Sequence, residues 1–229
     1  MNYQRFKIAI LGLGVFVCGF CMHADGAEKA LVVGTPNYCV MFQEWLRPMG
    51  YNVTKLDHDN GMKTWKEKGY KLPGIDQLRQ YKLIVICPLI STVTADEAAI
   101  VQYIKDGGNF IILYNSLNTV REKTKSMGYG ICGFDKLTQK HLHPYPKAGE
   151  MLHKLEYTPK MGNKKFERKH LIAFYAEDLI DAEPLIVNPE IPGGAFATVT
   201  KVGKGQFIFY GGENRETFLD ILTACGLGK

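Results

Sequence analysis

Two hydrophobic periods alternate along this chain, and each switch from one to the other marks the border of a short element. Lys29–Gly34 (KALVVG) is an apolar run of the length found in strands buried on both faces. Behind it, Tyr38, Met41, Phe42, Trp45 and Leu46 recur at helical spacing, with Asn37 placed to cap the helix and Pro48 and Gly50 to close it. Tyr51–Asp57 returns to the strand pattern, residues 59–71 are polar loop, and Gly74–Gln80 has room for one or two helical turns. Leu83–Cys87 is again apolar throughout. Thr94-Ala95-Asp96-Glu97 reads as a capping box, whose hydroxyl and carboxylate satisfy each other's free backbone donors. Ile100, Val101 and Ile104 give the next helix one buried face, Gly107 ends it, and Asn109–Tyr114 is a fourth strand. Strands and helices taking turns in short units predict a parallel sheet covered by helices on both faces.

The regular pattern stops after Asn118. Residues 119–170 mix lysine, glycine, proline and histidine without a clear period and read as an irregular insertion, with one helix near Ala148–Leu155. Leu171–Tyr175 and Pro184–Val187 read as strands. Ala195–Lys201 and Gln206–Gly211 alternate on either side of Val202-Gly203-Lys204-Gly205, which predicts a hairpin with glycines where positive φ is needed. Asn214 is placed to cap a last helix whose Phe218, Ile221, Leu222 and Cys225 face inward, ended by Gly226.

The start of the chain adds a location. Arg5 and Lys7 precede an uncharged apolar run from Ile8 to Met22, and Ala24-Asp25-Gly26-Ala27 supplies small residues for cleavage. Residues 1–27 therefore read as a signal peptide and 28–229 as a single α/β domain, secreted or periplasmic. The run falls short of the roughly 20 residues that span a bilayer, so no stable membrane anchor is expected after cleavage. Net charge is +5, a matter of solubility; the lysines around Trp65 and Tyr70 read as a solvated loop, and export argues against nucleic acid as a partner.

Four cysteines lie beyond the signal: Cys39, Cys87, Cys132 and Cys225. None forms the Cys-x-x-Cys spacing of a zinc site. Cys39 begins the first predicted helix and Cys225 ends the last, which puts them at opposite ends of the sheet, roughly 15–20 Å apart. Any disulfide is expected to join two of Cys39, Cys87 and Cys132, leaving Cys225 a buried thiol.

Tyr81–Ser116 (YKLIVICPLISTVTADEAAIVQYIKDGGNFIILYNS) carries a resemblance. Its apolar strand ending in proline, its Thr-capped helix and the run Tyr103-Ile104-Lys105-Asp106-Gly107-Gly108-Asn109-Phe110 are similar to the trimerisation domain of bacterial beta-galactosidases, within the class I glutamine-amidotransferase-like superfamily. Gly203-Lys204-Gly205-Gln206-Phe207-Ile208 resembles the family's later Gly-Lys-Gly-hydrophobic strand, and trehalose-utilisation-like proteins share the frame. The resemblance implies a flavodoxin-like three-layer α/β sandwich with a mostly parallel sheet and a C-terminal β-hairpin addition, and a role in oligomerisation. Its motifs are glycines and apolar strands, which specify fold better than function.

Chemistry is sparser. An active amidotransferase presents its cysteine on a sharp turn after a strand, among small neighbours. That place holds Tyr114-Asn115-Ser116-Leu117-Asn118, with no cysteine and no flanking glycine, so glutaminase chemistry is expected to be lost. Ser116 is the hydroxyl in that turn and Glu213, after Gly211-Gly212, the best-placed acid; they are the catalytic candidates for a hydrolase acting on a sugar or amide. Ligands of open α/β sheets bind beyond the carboxyl ends of the strands. That edge gathers Thr35, Asn37, Asp57, Asp59, Ser91, Asn115, Ser116, Glu213 and Asn214. Such groups suit a sugar or another small polar ligand and equally serve as helix caps and turn residues. Asp57 and Glu213 are the carboxylates available for a hydrolytic pair. His141 and His143 lack a third ligand in register, so no metal is expected, and nothing calls for a cofactor. The favoured reading is an exported, non-catalytic domain that binds a polar ligand, carbohydrate among the candidates, or mediates assembly as a homo-oligomer. The alternative is the secreted hydrolase.

Overall fold

A computed structural model describes residues 27–57, 70–87, 93–94, 97–113, 131–140, 152–169 and 173–228. Apolar content decides which strands lie at the centre. In β1 (Glu28–Gly34), β4 (Leu83–Ile86) and β6 (Asn109–Leu113), the side chains of Ala30–Val33, Leu83–Ile86 and Phe110–Leu113 are almost wholly removed from water. Strands apolar on both faces need cover on both, which a parallel sheet between helices provides. β2 (Tyr51–Asp57) lies outside β1 and exposes Asn52, Thr54 and Lys55. The hairpin of β12 (Ala195–Val202) and β13 (Gly205–Tyr210) completes the parallel half, with β13 alongside β6 and Gln206 opposite Asn109. The order there is β2-β1-β4-β6-β13.

Beyond β13 the sheet runs antiparallel through β12, β11 (Glu183–Val187), β8 (Leu152–Tyr157) and β9 (Lys165–Lys169). β10 (Ala173–Leu179) leaves β12 to pair with β7 (Phe134–Lys140), and β3 (Tyr70–Lys71) pairs separately with β5 (Val93–Thr94). The expected mostly parallel sheet is thus a mixed one, of 11 strands among the described residues, compatible with a flavodoxin-like frame, and the hairpin is its middle rather than an addition. The segment expected to be irregular supplies the difference. In β8 Leu155 and Tyr157 are buried while Lys154 is exposed, a period of two. The spacing of Leu152 and Leu155 suits a helix over Ala148–Leu155; from Leu152 onward a strand forms instead. β9 (KFERK) is charged throughout save Phe166, a composition that discourages pairing with other chains at a sheet margin.

Among the described residues, four α-helices cover the parallel half: α1 (Pro36–Leu46), α2 (Ile75–Leu78), α3 (Glu97–Lys105) and α4 (Arg215–Ala224). α1 and α4 share one face, where the Phe42 ring meets Trp45 at 4.6 Å and Phe218 at 5.0 Å. The chain moves outward from β1 to β2 and then crosses back to β4, so right-handed crossovers put α2 and α3 on the other face. Asn37 does not cap α1. Thr35 is the capping residue and Pro36 the first helical one, where proline's fixed φ and missing N–H fit without loss. Asn214 does cap α4, its Oδ1 accepting from the Thr217 N–H at 3.1 Å. The end of α4 is a Schellman turn: Gly226 has φ 73° and the Leu227 N–H reaches the Leu222 carbonyl at 2.8 Å. The capping box before α3 includes Ala95 and Asp96, outside the described residues.

Two glycine motifs far apart in sequence meet at the base of this half. Gly107 ends α3 with φ 114°, and Gly108 lies against the Tyr103 ring so closely that any Cβ would overlap it. The Tyr103 hydroxyl donates towards the Tyr81 and Asn109 carbonyls at 3.1 and 3.2 Å, tying α3 to the starts of β4 and β6. Gly203, at φ 61°, turns the hairpin, and the Lys204 N–H bonds the Lys105 carbonyl at 3.0 Å. Gly205 is glycine for a different reason from the one expected: its φ is ordinary, but a Cβ there would overlap the carbonyl oxygens of Ile104 and Gly108. Gly205→Ala is expected to cost about 3 kcal/mol or more, since neither carbonyl sits on a flexible side chain. Thermal melting should show a Tm lower by roughly 6–12 °C; a variant that melts with the wild type contradicts the contact.

Candidate functional site

The strand order reverses between β1 and β4, because the connection from β1 leaves towards β2 and that from β4 towards β6, and the carboxyl ends at such a reversal are where open α/β sheets form their ligand crevice. Gly34 closes β1 there, and Cys87 follows β4 with its N–H on the Val33 carbonyl at 2.9 Å. A Cβ on Gly34 would come within 2.6 Å of the Cys87 Cβ and 2.8 Å of its Sγ, so the strand end has no room for a side chain. α1 starts at once, and in its first turn Tyr38 donates from its hydroxyl to Oε2 of Glu213 at 2.9 Å. The bond joins residues 175 positions apart and is half-buried.

Glu213 owes its position to the loop after β13. Gly211 is held between two strands: its N–H bonds the Phe196 carbonyl at 2.7 Å, and its carbonyl accepts from the Phe174 N–H at 3.2 Å. A Cβ on Gly211 would overlap the Phe174 carbonyl oxygen. The buried Tyr210 hydroxyl then accepts from the Asn214 N–H at 3.0 Å and closes the loop, leaving Glu213 directed to α1. Glycine at 211 and tyrosine at 210 thus hold an acid over the crevice.

Burial raises the Tyr38 hydroxyl well above its ordinary value of 10, and its bond to the Glu213 carboxylate raises it further. The phenol therefore remains a neutral donor at physiological pH. An ionised carboxylate accepts hydrogen bonds only, so the pair combines an acceptor for ligand hydroxyls with a phenol oxygen able to accept another.

Of the residues expected at this edge, Thr35, Asn37, Asp57, Glu213 and Asn214 are described, and all lie at carboxyl ends of parallel strands or in the turns that follow them. Thr35 caps α1 without a side-chain capping bond. Asn37 is exposed, and Asp57 pairs with Gly34 across β1 and β2. Asn214 uses its side-chain carbonyl on the Thr217 N–H and hydroxyl, at 3.1 and 3.2 Å. Asp57 and Glu213 follow strands four places apart, about 19 Å at the backbone. Ser91, Asn115, Ser116, Asp59, His141 and His143 lie outside the described residues. The residue that sequence reasoning does not single out is Tyr38. It falls on the apolar stripe of α1 and reads as core, and only its place one turn beyond β1 marks it as a crevice residue.

The thiols also sort by edge. Cys39 and Cys87 are buried beneath the crevice and hydrogen-bonded to each other. Cys132 accepts at its carbonyl from the Thr200 hydroxyl, 2.6 Å away, at the opposite end of the strands, so of the three cysteines expected to supply any disulfide it lies apart from the other two. Cys225, only partly buried, has its thiol pushed up to about 11 by desolvation. A cavity of about 410 Å³ lies at the amino ends of β1, β4 and β6, where Arg79 grips Asp106 through Nε and a terminal nitrogen at 3.0 and 2.7 Å. Among the described residues no group of three or more His, Cys, Asp or Glu is placed to hold a metal ion, and no helix is long and apolar enough to cross a membrane.

No protein-family model and no curated protein matches the sequence. Solved structures do resemble the fold. A GH42 beta-galactosidase, Gan42B from G. stearothermophilus, matches over 88% of this chain and 30% of its own, with 16% identity and a TM-score of 0.54. The beta-galactosidase from Bacillus circulans sp. alkalophilus matches over 87% and 31%, with 10% identity and the same TM-score of 0.54. Cytoplasmic Protein STM1381 from Salmonella typhimurium LT2 matches over 81% and 88%, with 14% identity and a TM-score of 0.53. The chain spans about 30% of the length of these galactosidases, and the likeness is one of fold.

Tyr38→Phe removes one charge-directed hydrogen bond and should lower stability at pH 7 by about 1–2 kcal/mol. Because the folded Tyr38 binds its proton more tightly than an unfolded tyrosine, this contribution is complete below pH 10 and declines as pH rises above it. Urea melts at pH 7 and pH 11 should therefore show the gap between wild type and variant narrowing at the higher pH. A gap that widens contradicts the assignment.

Proposed function

We propose that this chain is an exported, non-catalytic amidotransferase-like domain that binds a small polar ligand of the carbohydrate class in the crevice beside Tyr38 and Glu213. The observation that carries this reading is the 2.9 Å bond between those residues, which sets a carboxylate and a phenol at the place where open α/β sheets take ligands. The sequence that follows β6, Tyr114–Asn118, supports the non-catalytic half, since it offers neither cysteine nor glycine for a strained nucleophile. The galactosidases that share the fold support the sugar-related half. Thr35, at the end of β1 and one turn before Tyr38, is a further hydroxyl at the same edge.

Calorimetric titration with galactose, lactose and short galacto-oligosaccharides tests the reading. Saturable binding is expected for at least one, weakened tenfold or more by Glu213→Gln and by Tyr38→Phe. Nitrophenyl glycosides and amides should not turn over. Hydrolysis abolished by Ser116→Ala or Glu213→Gln would replace this reading with the hydrolase, and no binding across the series would end the carbohydrate proposal. Sedimentation of the same samples reports whether the ligand or the bare chain drives assembly into a homo-oligomer.

A further inference from the structure

We propose that Cys39 and Cys87 are a disulfide-forming pair that locks the crevice. Both side chains are wholly buried, one on the first turn of α1 and the other at the end of β4. Cys87 Sγ packs against Gly34 and Cys39 against the same strand end, and the Cys39 thiol acts directly on that of Cys87, so the two side chains are neighbours. Cys39 Sγ also reaches the Val32 carbonyl at 3.6 Å, so it lies flat on β1 rather than pointing along the helix. The end of β1 is shaped around this pair, because Gly34 leaves the space that the Cys87 sulfur fills.

The other two cysteines are not competitors. Cys132 sits with Thr200, opposite Phe207, which in turn lies opposite Phe110 near the amino end of β6. The Cys225 carbonyl accepts from the Gln206 side chain at 2.9 Å, and Gln206 lies opposite Asn109 at that same amino end. Sulfurs at the two ends of the strands cannot reach the roughly 7 Å limit between bonded Cα atoms without unfolding.

The chemistry balances with a disulfide donor such as oxidised glutathione or an exported thiol–disulfide oxidoreductase. A thiolate of the pair attacks the donor and expels one thiolate. The second cysteine then attacks the mixed disulfide and expels the other. Two thiols become one disulfide, and the donor disulfide becomes two thiols. Since neither sulfur is exposed in the folded chain, the exchange belongs to folding, before α1 docks on β1. The product ties the helical turn that carries Tyr38 to the strand on the far side of the crevice. Its occurrence in the cell rests on the export reading, because an oxidising compartment is required. The capacity to form it does not.

The chain from residue 28 onward, refolded in a reduced and oxidised glutathione mixture, alkylated in denaturant and digested without reduction, gives the test by mass mapping. A Cys39–Cys87 linked peptide is expected in most of the material, with Cys132 and Cys225 alkylated. Reductant should then lower the Tm of the wild type by several degrees and leave that of Cys87→Ala unmoved. Alkylation of both Cys39 and Cys87, or a bridge containing Cys132 or Cys225, overturns the proposal. The wild-type map decides even if the variant fails to fold. Galactose titration of the oxidised and reduced forms separates this claim from the ligand reading: a bridge that forms in a chain binding no saccharide leaves the pair standing and the carbohydrate site refuted.

Discussion

Where Gly205 lies against the carbonyls of Ile104 and Gly108 no side chain fits, and a hairpin from late in the chain becomes the fifth parallel strand of a sheet begun at Glu28. The contact depends on Gly107 leaving α3 in a left-handed conformation and on Gly108 making way for the Tyr103 ring. It fixes the register of β13 on β6, and through β13 the start of the antiparallel half. Everything at the far end of β13 inherits that register, including the loop that carries Glu213. A structural restraint at the amino edge of the sheet thus places an acid at the carboxyl edge.

The carboxyl edge is built with the same economy of space. Gly34 and Gly211 each remove a side chain where a neighbour approaches, Cys87 in one case and the Phe174 carbonyl in the other. Between them Tyr38, after β1, and Glu213, after β13, meet at the carboxyl edge of the sheet. The aromatic packing of Phe42 and Trp45 on Phe218 holds α1 and α4 on one face, so the two residues stay opposed. The large cavity at the other end of the strands is bordered by the Arg79–Asp106 pair, an exposed contact that salt screens and that contributes little.

The parallel half is legible in the sequence because its signals are local and strong. Runs such as LIVI and NFIIL admit few alternatives to a buried strand, and Asn214 at the head of an amphipathic segment reads as a cap from its side-chain chemistry alone. In the antiparallel half β10, β11 and β12 are legible as strands, but β7, β8 and β9 are not, because lysine and glutamate among their residues blur the period of two. Asn37 resembles a cap because asparagine is a strong capping residue, yet Pro36 before it is already helical and moves the cap back to Thr35. Glu213 is visible as an acid after two glycines. Its partner is not, since a hydrogen bond spanning 175 residues leaves no trace in local pattern.

A crystal of the chain soaked with a saccharide that binds in solution locates the ligand. Sugar density is expected at the carboxyl edge of the sheet, with hydroxyls within hydrogen-bond distance of Glu213 and Tyr38. Density in the cavity beside Arg79 and Asp106, with that edge empty, would contradict the placement.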